Sequence, residues 1–302
     1  MAGNSQTELM QYVLKDIQEG EGLRMPVKAG RLEQMVVRKL PPEKLHPNPA
    51  DEFSMEKIGP NYSIIESYVH RIRKNREMEM KIFDEPVLVE KIRPDGYLLI
   101  NGHHRWAAAR KLMLKSIPVQ IVNITHASDI LKQLNKNKRE KRASINLDDV
   151  ILCQKEEDLS EKGLKFPYNR FYKDRIRLGV PALIHNLQQE GFDVWIYTFG
   201  YASSDYIERL LSKYQIHADG IINGARHKNK EDQKLAGEIK SEMERKYSIT
   251  LHIDLESALL TKRGETAFHQ RKIKEKDERW SKEAISSIHF LEKKLEENDG
   301  RM

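Results

Sequence analysis

Asn101, Gly102, His103, His104 and Arg105 stand in a row between an apolar run, Tyr97-Leu98-Leu99-Ile100, and an alanine-rich stretch, Trp106-Ala107-Ala108-Ala109-Arg110. A strand that stops at Asn-Gly and restarts as a helix leaves backbone N–H groups unpaired at the helix head. Those groups, together with the helix dipole, suit an anion. Arg105 adds a planar fork of donors that fits phosphate oxygens. His103 and His104 add donors that can neutralise charge or shuttle a proton. These residue types in this order read as a phosphate-binding turn. The alternative is a helix start whose histidines only cap or pack.

The flanking sequence supplies the elements that must position this turn. Residues 5–19 read as an amphipathic helix: Ser5 and Glu8 have capping-box spacing, and Leu9, Met10, Val13, Leu14 and Ile17 share a face. It is expected as a packed lid, with a dimerisation arm as the alternative. Met35-Val36-Val37 is expected to begin a short strand, and residues 40–49, rich in proline, form a rigid extended connection. Residues 62–74 have helical periodicity. A strand over 87–92 turns at Arg93-Pro94-Asp95-Gly96 and returns as a hairpin into the Gly-His-His-Arg turn. The pattern is a small mixed α+β domain.

The second half changes character. Residues 144–152 and 191–201 each carry an apolar run, with an amphipathic helix over 179–190 between them. That order is a βαβ unit of a parallel sheet. Further strands are expected over 220–223 and 249–254, with a helix over 204–214. Asn146, Asp148, Thr198 and Asp254 then fall at strand ends along one sheet edge, where such folds place their sites. From Phe268 onward the chain reads as helical and charged, with Trp280, Ile285, Ile288, Leu291 and Leu295 as an apolar stripe.

The run GHHRWAAARKL, preceded by Pro86-Val87-Leu88-Val89 and followed by Ile117-Pro118-Val119-Gln120-Ile121-Val122, resembles the ParB/sulfiredoxin-like superfamily over roughly residues 36–125. That resemblance implies nucleotide binding: CTP in partition proteins, ATP in sulfiredoxins, ATP or ADP in free-serine kinases. The Gly-His-His-Arg form is nearer the kinase-like and uncharacterised branches than the DNA-partition branch. It implies that Asn101, Gly102, His103, His104 and Arg105 hold nucleotide phosphates, with His104 and an upstream acid as catalytic groups. In kinase-like relatives that acid is a glutamate that deprotonates the acceptor hydroxyl; Glu52 is the candidate, with a solvated loop acid as the alternative. Residues 143–262 resemble a haloacid dehalogenase-like (HAD-like) domain. There Asn146-Leu147-Asp148-Asp149-Val150 matches the Asp-x-Asp motif, Thr198 the second motif, Lys228 or Lys230 the third, and Asp254, with Glu256 as a further candidate, the fourth. Asp148 and Asp254 would be the metal ligands. Asn146 stands where that family has its nucleophilic aspartate. An amide is a very poor nucleophile, and Mg²⁺ loses an anionic ligand. The resemblance therefore implies a degenerate site that binds a phosphorylated ligand without cleaving it.

Composition bounds the reading. The chain has 302 residues, 39% apolar and 32% charged, with formal net charge +6. It has no apolar run near the ~18 residues of a membrane span and no signal pattern, so a cytoplasmic location is expected. A single cysteine, Cys153, excludes an internal disulfide and multi-cysteine zinc sites. The expected organisation is a helical arm (1–30), a ParB/sulfiredoxin-like domain (31–130), a basic linker (131–142), an α/β Rossmann-like, HAD-like domain (143–265) and a C-terminal helix (266–302). The expected function is nucleotide-dependent phosphotransfer or NTPase action with Mg²⁺ and ATP, ADP or CTP, on a small-molecule or phosphorylated substrate. Two rivals stay open. One is a phosphatase acting through Asp148 and Asp254. The other, ranked lower, is a partition-like DNA-binding protein using the basic run 136–142.

Overall fold

The computed structural model describes residues 2–156, 158–224, 230–265, 268–274 and 278–299. The chain forms two compact units, one built on the residues up to 124 with the segment 201–203, the other on residues 125–200, 204–224 and the chain beyond 234.

The first unit contains α1 (Ala2–Gly20), β1 (Met25–Pro26), α2 (Arg31–Met35), β2 (Arg38–Leu40), β3 (Leu45–His46) and α3 (Tyr62–Glu77). The hairpin of β4 (Val87–Arg93) and β5 (Tyr97–Asn101) follows, then α4 (His103–Lys111) and β6 (Ile117–Ile121). The sheet order is β2-β6-β4-β5-β3, with β1 paired to β4. β4 and β5 are antiparallel, and β4 lies parallel to β6. β5 runs directly into α4. Asn61 starts α3, its side-chain oxygen accepting from the N–H groups of Ser63 and Ile64. α3 packs along α4. Ala107, Ala108 and Ala109 are buried, and three small side chains in succession let α4 approach its neighbours closely. Trp106 is fully buried; its indole N–H donates to the Pro42 carbonyl at 2.9 Å and its ring stands edge-on to Phe53.

The second unit contains α5 (Ala127–Lys136), β7 (Lys141–Asn146), α6 (Val180–Gln189), β8 (Phe192–Tyr197), α7 (Ser204–Lys213) and β9 (Gly220–Ile222). α8 (Lys230–Lys246), β10 (Ile249–Ile253), β11 (Ser257–Lys262), β12 (Phe268–Lys272) and α9 (Trp280–Asp299) complete it. Its sheet order is β12-β11-β10-β7-β8-β9. β10, β7, β8 and β9 are parallel, while β11 and β12 add an antiparallel margin. Ala143, Ile145, Val194, Ile196, Leu251 and Ile253 face one core, to which α6 and α9 contribute Leu183, Leu187, Ile288 and Leu291.

Several expectations differ from this architecture. α1 begins at Ala2, so Ser5 lies inside the helix and cannot be its cap. Met35 ends α2 rather than opening a strand, because Glu33 reaches back to the Gly30 N–H and closes a helical turn. The stretch 131–142 is the end of α5 and the start of β7, not a free connection. Two of its charges are used locally: Arg139 donates to the Phe192 carbonyl, and Lys141 pairs with Glu292 at 2.8 Å. Residues 268–272 form β12 before the terminal helix begins at Trp280. Among the described residues no helix is long and apolar enough to cross a membrane.

Trp106 closes the first core, so its loss should be felt there. Trp106→Ala removes a fully buried indole and its hydrogen bond, with an expected cost of about 3–5 kcal/mol. A thermal melt followed by circular dichroism should show the midpoint drop; an unchanged midpoint would contradict the packing described.

Candidate functional site

The turn between β5 and α4 depends on Gly102, whose φ of +99° is a left-handed conformation that glycine adopts without strain. A Cβ there would also sit 3.0 Å from the Arg105 guanidinium. The first helical hydrogen bond runs from Trp106 N–H to the Gly102 carbonyl at 2.9 Å. The N–H groups of His103, His104 and Arg105 therefore precede the helical ladder, at the positive end of the dipole. They head a cleft of about 360 Å³ lined by Asp51, Ile64, Tyr68, Tyr201 and the run from Ile100 to Arg105. That volume lies within the range of small-ligand sites, roughly 300–1,000 Å³.

The two histidines are held in one tautomer. The backbone N–H of Asn48 donates to His103 Nε2 at 3.2 Å, and that of Asn61 donates to His104 Nε2 at 3.1 Å. A backbone amide can only donate here, so each Nε2 is unprotonated and each ring carries its proton on Nδ1. Burial pushes His103 down to about 4, with the Asp51 carboxylate pulling it up and His104 pushing it further down. His104 is also lowered, by burial first, against the opposing pull of Asp51. Phe53 packs against both rings. The pair thus enters the site as neutral imidazoles that fasten the 48 loop and the start of α3 to the head of α4.

Arg105 serves a similar purpose. Its Nη1 donates to the carbonyls of Glu85 and Pro86 at 2.8 and 3.1 Å, and its Nη2 lies 3.5 Å from the Asn101 side-chain oxygen. The sequence suggests a phosphate fork; the structure spends one arm of that fork on the chain entering β4. The acid of the cleft also differs. Glu52 is exposed, while Asp51, one residue earlier, lines the cleft. Asp51 Oδ1 accepts from the Phe53 N–H at 2.9 Å, and Oδ2 lies 3.7 Å from His103 Nδ1. Tyr68 and Tyr201 are further lining residues that the sequence reading missed. Tyr68 was legible only as part of an apolar helix face. Tyr201 had no local signal, since it arrives from a distant part of the chain.

In the second unit the structure brings part of the expected set together at the end of the parallel strands. Asn146 ends β7, and its side-chain oxygen accepts from the N–H groups of Asp148 and Asp149 at 2.8 and 3.2 Å. Thr198 follows β8; its hydroxyl donates to Asp148 Oδ2 at 2.5 Å and accepts from the Gly200 N–H. Asp254 follows β10, exposed, and its charge helps raise the Tyr197 phenol after burial, the larger cause; the Asn146 hydrogen bond opposes both. Lys228 lies outside the described residues. No group of three or more His, Cys, Asp or Glu side chains arranged to hold a metal occurs among the described residues.

Residues 27–138 match the family model of the ParB N-terminal domain. The match spans β5, the glycine turn and α4. Over 70 residues the chain is 31% identical to an ATP-dependent L-serine kinase from Staphylothermus marinus, an alignment covering 23% of this chain. The chain thus covers 27% of the length of that curated relative. Among solved structures, the C-terminally truncated chromosome-partitioning protein ParB from Caulobacter crescentus, complexed with CTP-γ-S, is 23% identical. That likeness covers 35% of this chain and 56% of that one, with a TM-score of 0.24. A free serine kinase variant in complex with ADP is 15% identical over 85% of this chain and 96% of that one, with a TM-score of 0.22. Scores this low carry no argument about fold or function.

The neutral, buried state of His103 gives the ParB-matching region a defined acid sensitivity. Folded, the ring stays unprotonated down to about 4; unfolded, it titrates near 6.5. Its contribution is complete above the unfolded value and is lost as pH falls from there toward the folded one, to a total on the order of 3 kcal/mol. Urea melts over that window should show the decline, and His103→Gln should flatten it. An equal decline in the variant would refute the assignment.

Proposed function

We propose that the first unit is a nucleotide-binding module whose phosphate site is the head of α4, and that it acts as a nucleotide-dependent phosphotransferase or NTPase. One observation carries this reading: the leading N–H groups of α4 open on a cleft of about 360 Å³ that also has an apolar and aromatic wall. The N–H groups suit phosphate oxygens. Tyr68, Tyr201, Ile64 and Ile100 offer ring faces and apolar surface for a base or sugar. The family match over 27–138 supports the same use, as does the identity to an ATP-dependent kinase over the shared segment.

In this reading the binding residues are Asn101, Gly102, His103, His104 and Arg105. Gly102 lets the backbone approach the phosphates. The histidines contribute as neutral Nδ1–H donors and as fasteners of the cleft walls. His104 remains the histidine suited to proton transfer, since its ring is only half-buried. Asp51 takes the part that Glu52 was expected to play: it lines the cleft and would accept the proton of an acceptor hydroxyl. With one carboxylate beside the cleft, the donor set fits Mg²⁺ held mainly by phosphate oxygens and water, where the ion would offset phosphate charge.

Titration calorimetry with ATP, ADP and CTP in Mg²⁺ buffer tests the module. Saturable binding of at least one nucleotide is expected, weakened about tenfold or more in Gly102→Ala, an affinity loss of at least ~1.4 kcal/mol. Asp51→Asn should retain binding and lower turnover by roughly 10²–10⁴. Absence of binding to all three nucleotides would end this reading.

A second reading concerns the other unit, because Asn146, Asp148 and Thr198 meet at the strand ends. With an amide in the place of a carboxylate nucleophile, this HAD-like edge would hold a phosphorylated ligand without cleaving it. A generic aryl phosphate should therefore stay intact in the presence of the protein. Hydrolysis that disappears in Asp148→Ala would instead favour the phosphatase.

A further inference from the structure

The loop that follows β7 and precedes α6 carries a second cluster of chemistry. Between Lys162 and Arg177 there are six Lys/Arg and one acid, Asp174, interleaved with Phe166, Tyr168, Phe171 and Tyr172. The structure divides these residues into two groups. Arg175 donates to the carbonyls of Glu156 and Asp158, and Arg177 to that of Val150. Tyr172 is buried and packs on Tyr206, whose hydroxyl donates to Asp174 at 2.7 Å. These four side chains anchor the loop, and they include its one acid. The rest point outward. Phe166 is 71% exposed, Tyr168 42% and Phe171 43%; Lys162, Lys165, Arg170 and Lys173 are exposed beside them. Arg170 lies over the Phe166 ring at 5.4 Å, and Lys213 of α7 lies over the Tyr168 ring at 4.2 Å.

We propose that this strip, residues 162–173 with Lys213, is a docking surface for single-stranded nucleic acid. Exposed rings alternating with cations match a partner that alternates flat bases with phosphates. The anchored acid leaves five outward cations with no carboxylate among residues 162–173, so the charge complements a polyanion. A lipid surface would favour one contiguous apolar wedge; here cations lie over two of the three exposed rings. A duplex keeps its bases stacked and offers these rings little. The basic run 136–142 lacks aromatic interleaving, and three of its cations, Arg139, Lys141 and Arg142, have partners within the fold. The proposal rests on residues outside the nucleotide cleft, so either can fail alone.

Fluorescence anisotropy of the whole chain with a labelled oligo(dT) of about 20 nucleotides tests it. Binding is expected, stronger than to the matching duplex. Phe166→Ala/Phe171→Ala should weaken it about tenfold or more with the salt slope unchanged. Lys165→Ala/Arg170→Ala should flatten the slope of log affinity against log salt by about 1.4. Lys136→Ala/Lys138→Ala should change neither. No binding to the oligonucleotide, equal binding by the strip variants, or loss in the Lys136/Lys138 pair would overturn the proposal. So would association with phosphatidylserine vesicles in place of the oligonucleotide.

Discussion

Two backbone amides, those of Asn48 and Asn61, each donate to the Nε2 of a histidine at the head of α4, and the cleft of the first unit depends on that pair of bonds. The bonds require both imidazoles to be neutral. They bring the proline-rich connection and the start of α3 against one helix terminus. Arg105 adds a third fastening, to the carbonyls that precede β4. Three consecutive side chains of one helical turn thus reach three different parts of the chain. The residues that look most like ligand-binding groups are the ones that build the walls. What they leave for an anion is the backbone itself: amide donors whose direction is fixed by Gly102 and α4.

That arrangement changes how the site's chemistry is understood. A phosphate held by cationic side chains would depend on their protonation. One held by backbone amides and neutral Nδ1–H groups keeps its donors across the neutral range; acid instead protonates Nε2 and breaks the bonds from Asn48 and Asn61 that hold the cleft walls. Asp51 sits at the junction of these roles. One of its oxygens caps the turn that carries Phe53; the other approaches His103. Its position comes from a hydrogen bond made within its own short turn.

The second unit shows the same division between charges that build and charges that face outward. Arg175 and Arg177 are spent on loop carbonyls, Arg139 and Lys141 on neighbouring strands and helices. Asn146 is likewise engaged: its side-chain oxygen closes the turn after β7 by accepting two backbone N–H groups. An aspartate there would make the same bonds and carry a charge. The amide therefore closes the turn without placing a charge at the strand end.

Sequence by itself determined the strand–glycine–helix order around residues 97–111, the hairpin before it, the parallel strands of the second half and the helix between them. Each rests on short-range periodicity or on a residue with one conformational use, such as Gly102. It also singled out Asn146, Asp148 and Thr198, which the fold brings together. Tertiary structure alone decided which of two adjacent acids, Asp51 or Glu52, lines the cleft, because a capping bond within one short turn sets that direction. It alone decided that His103, His104 and Arg105 are fastened to other chain segments, since their partners are distant backbone atoms that no local pattern encodes. Tyr201 entered the cleft for the same reason. The number of cations was legible in the sequence, but not which of them the fold consumes, because that depends on carbonyls and carboxylates that only packing brings within reach.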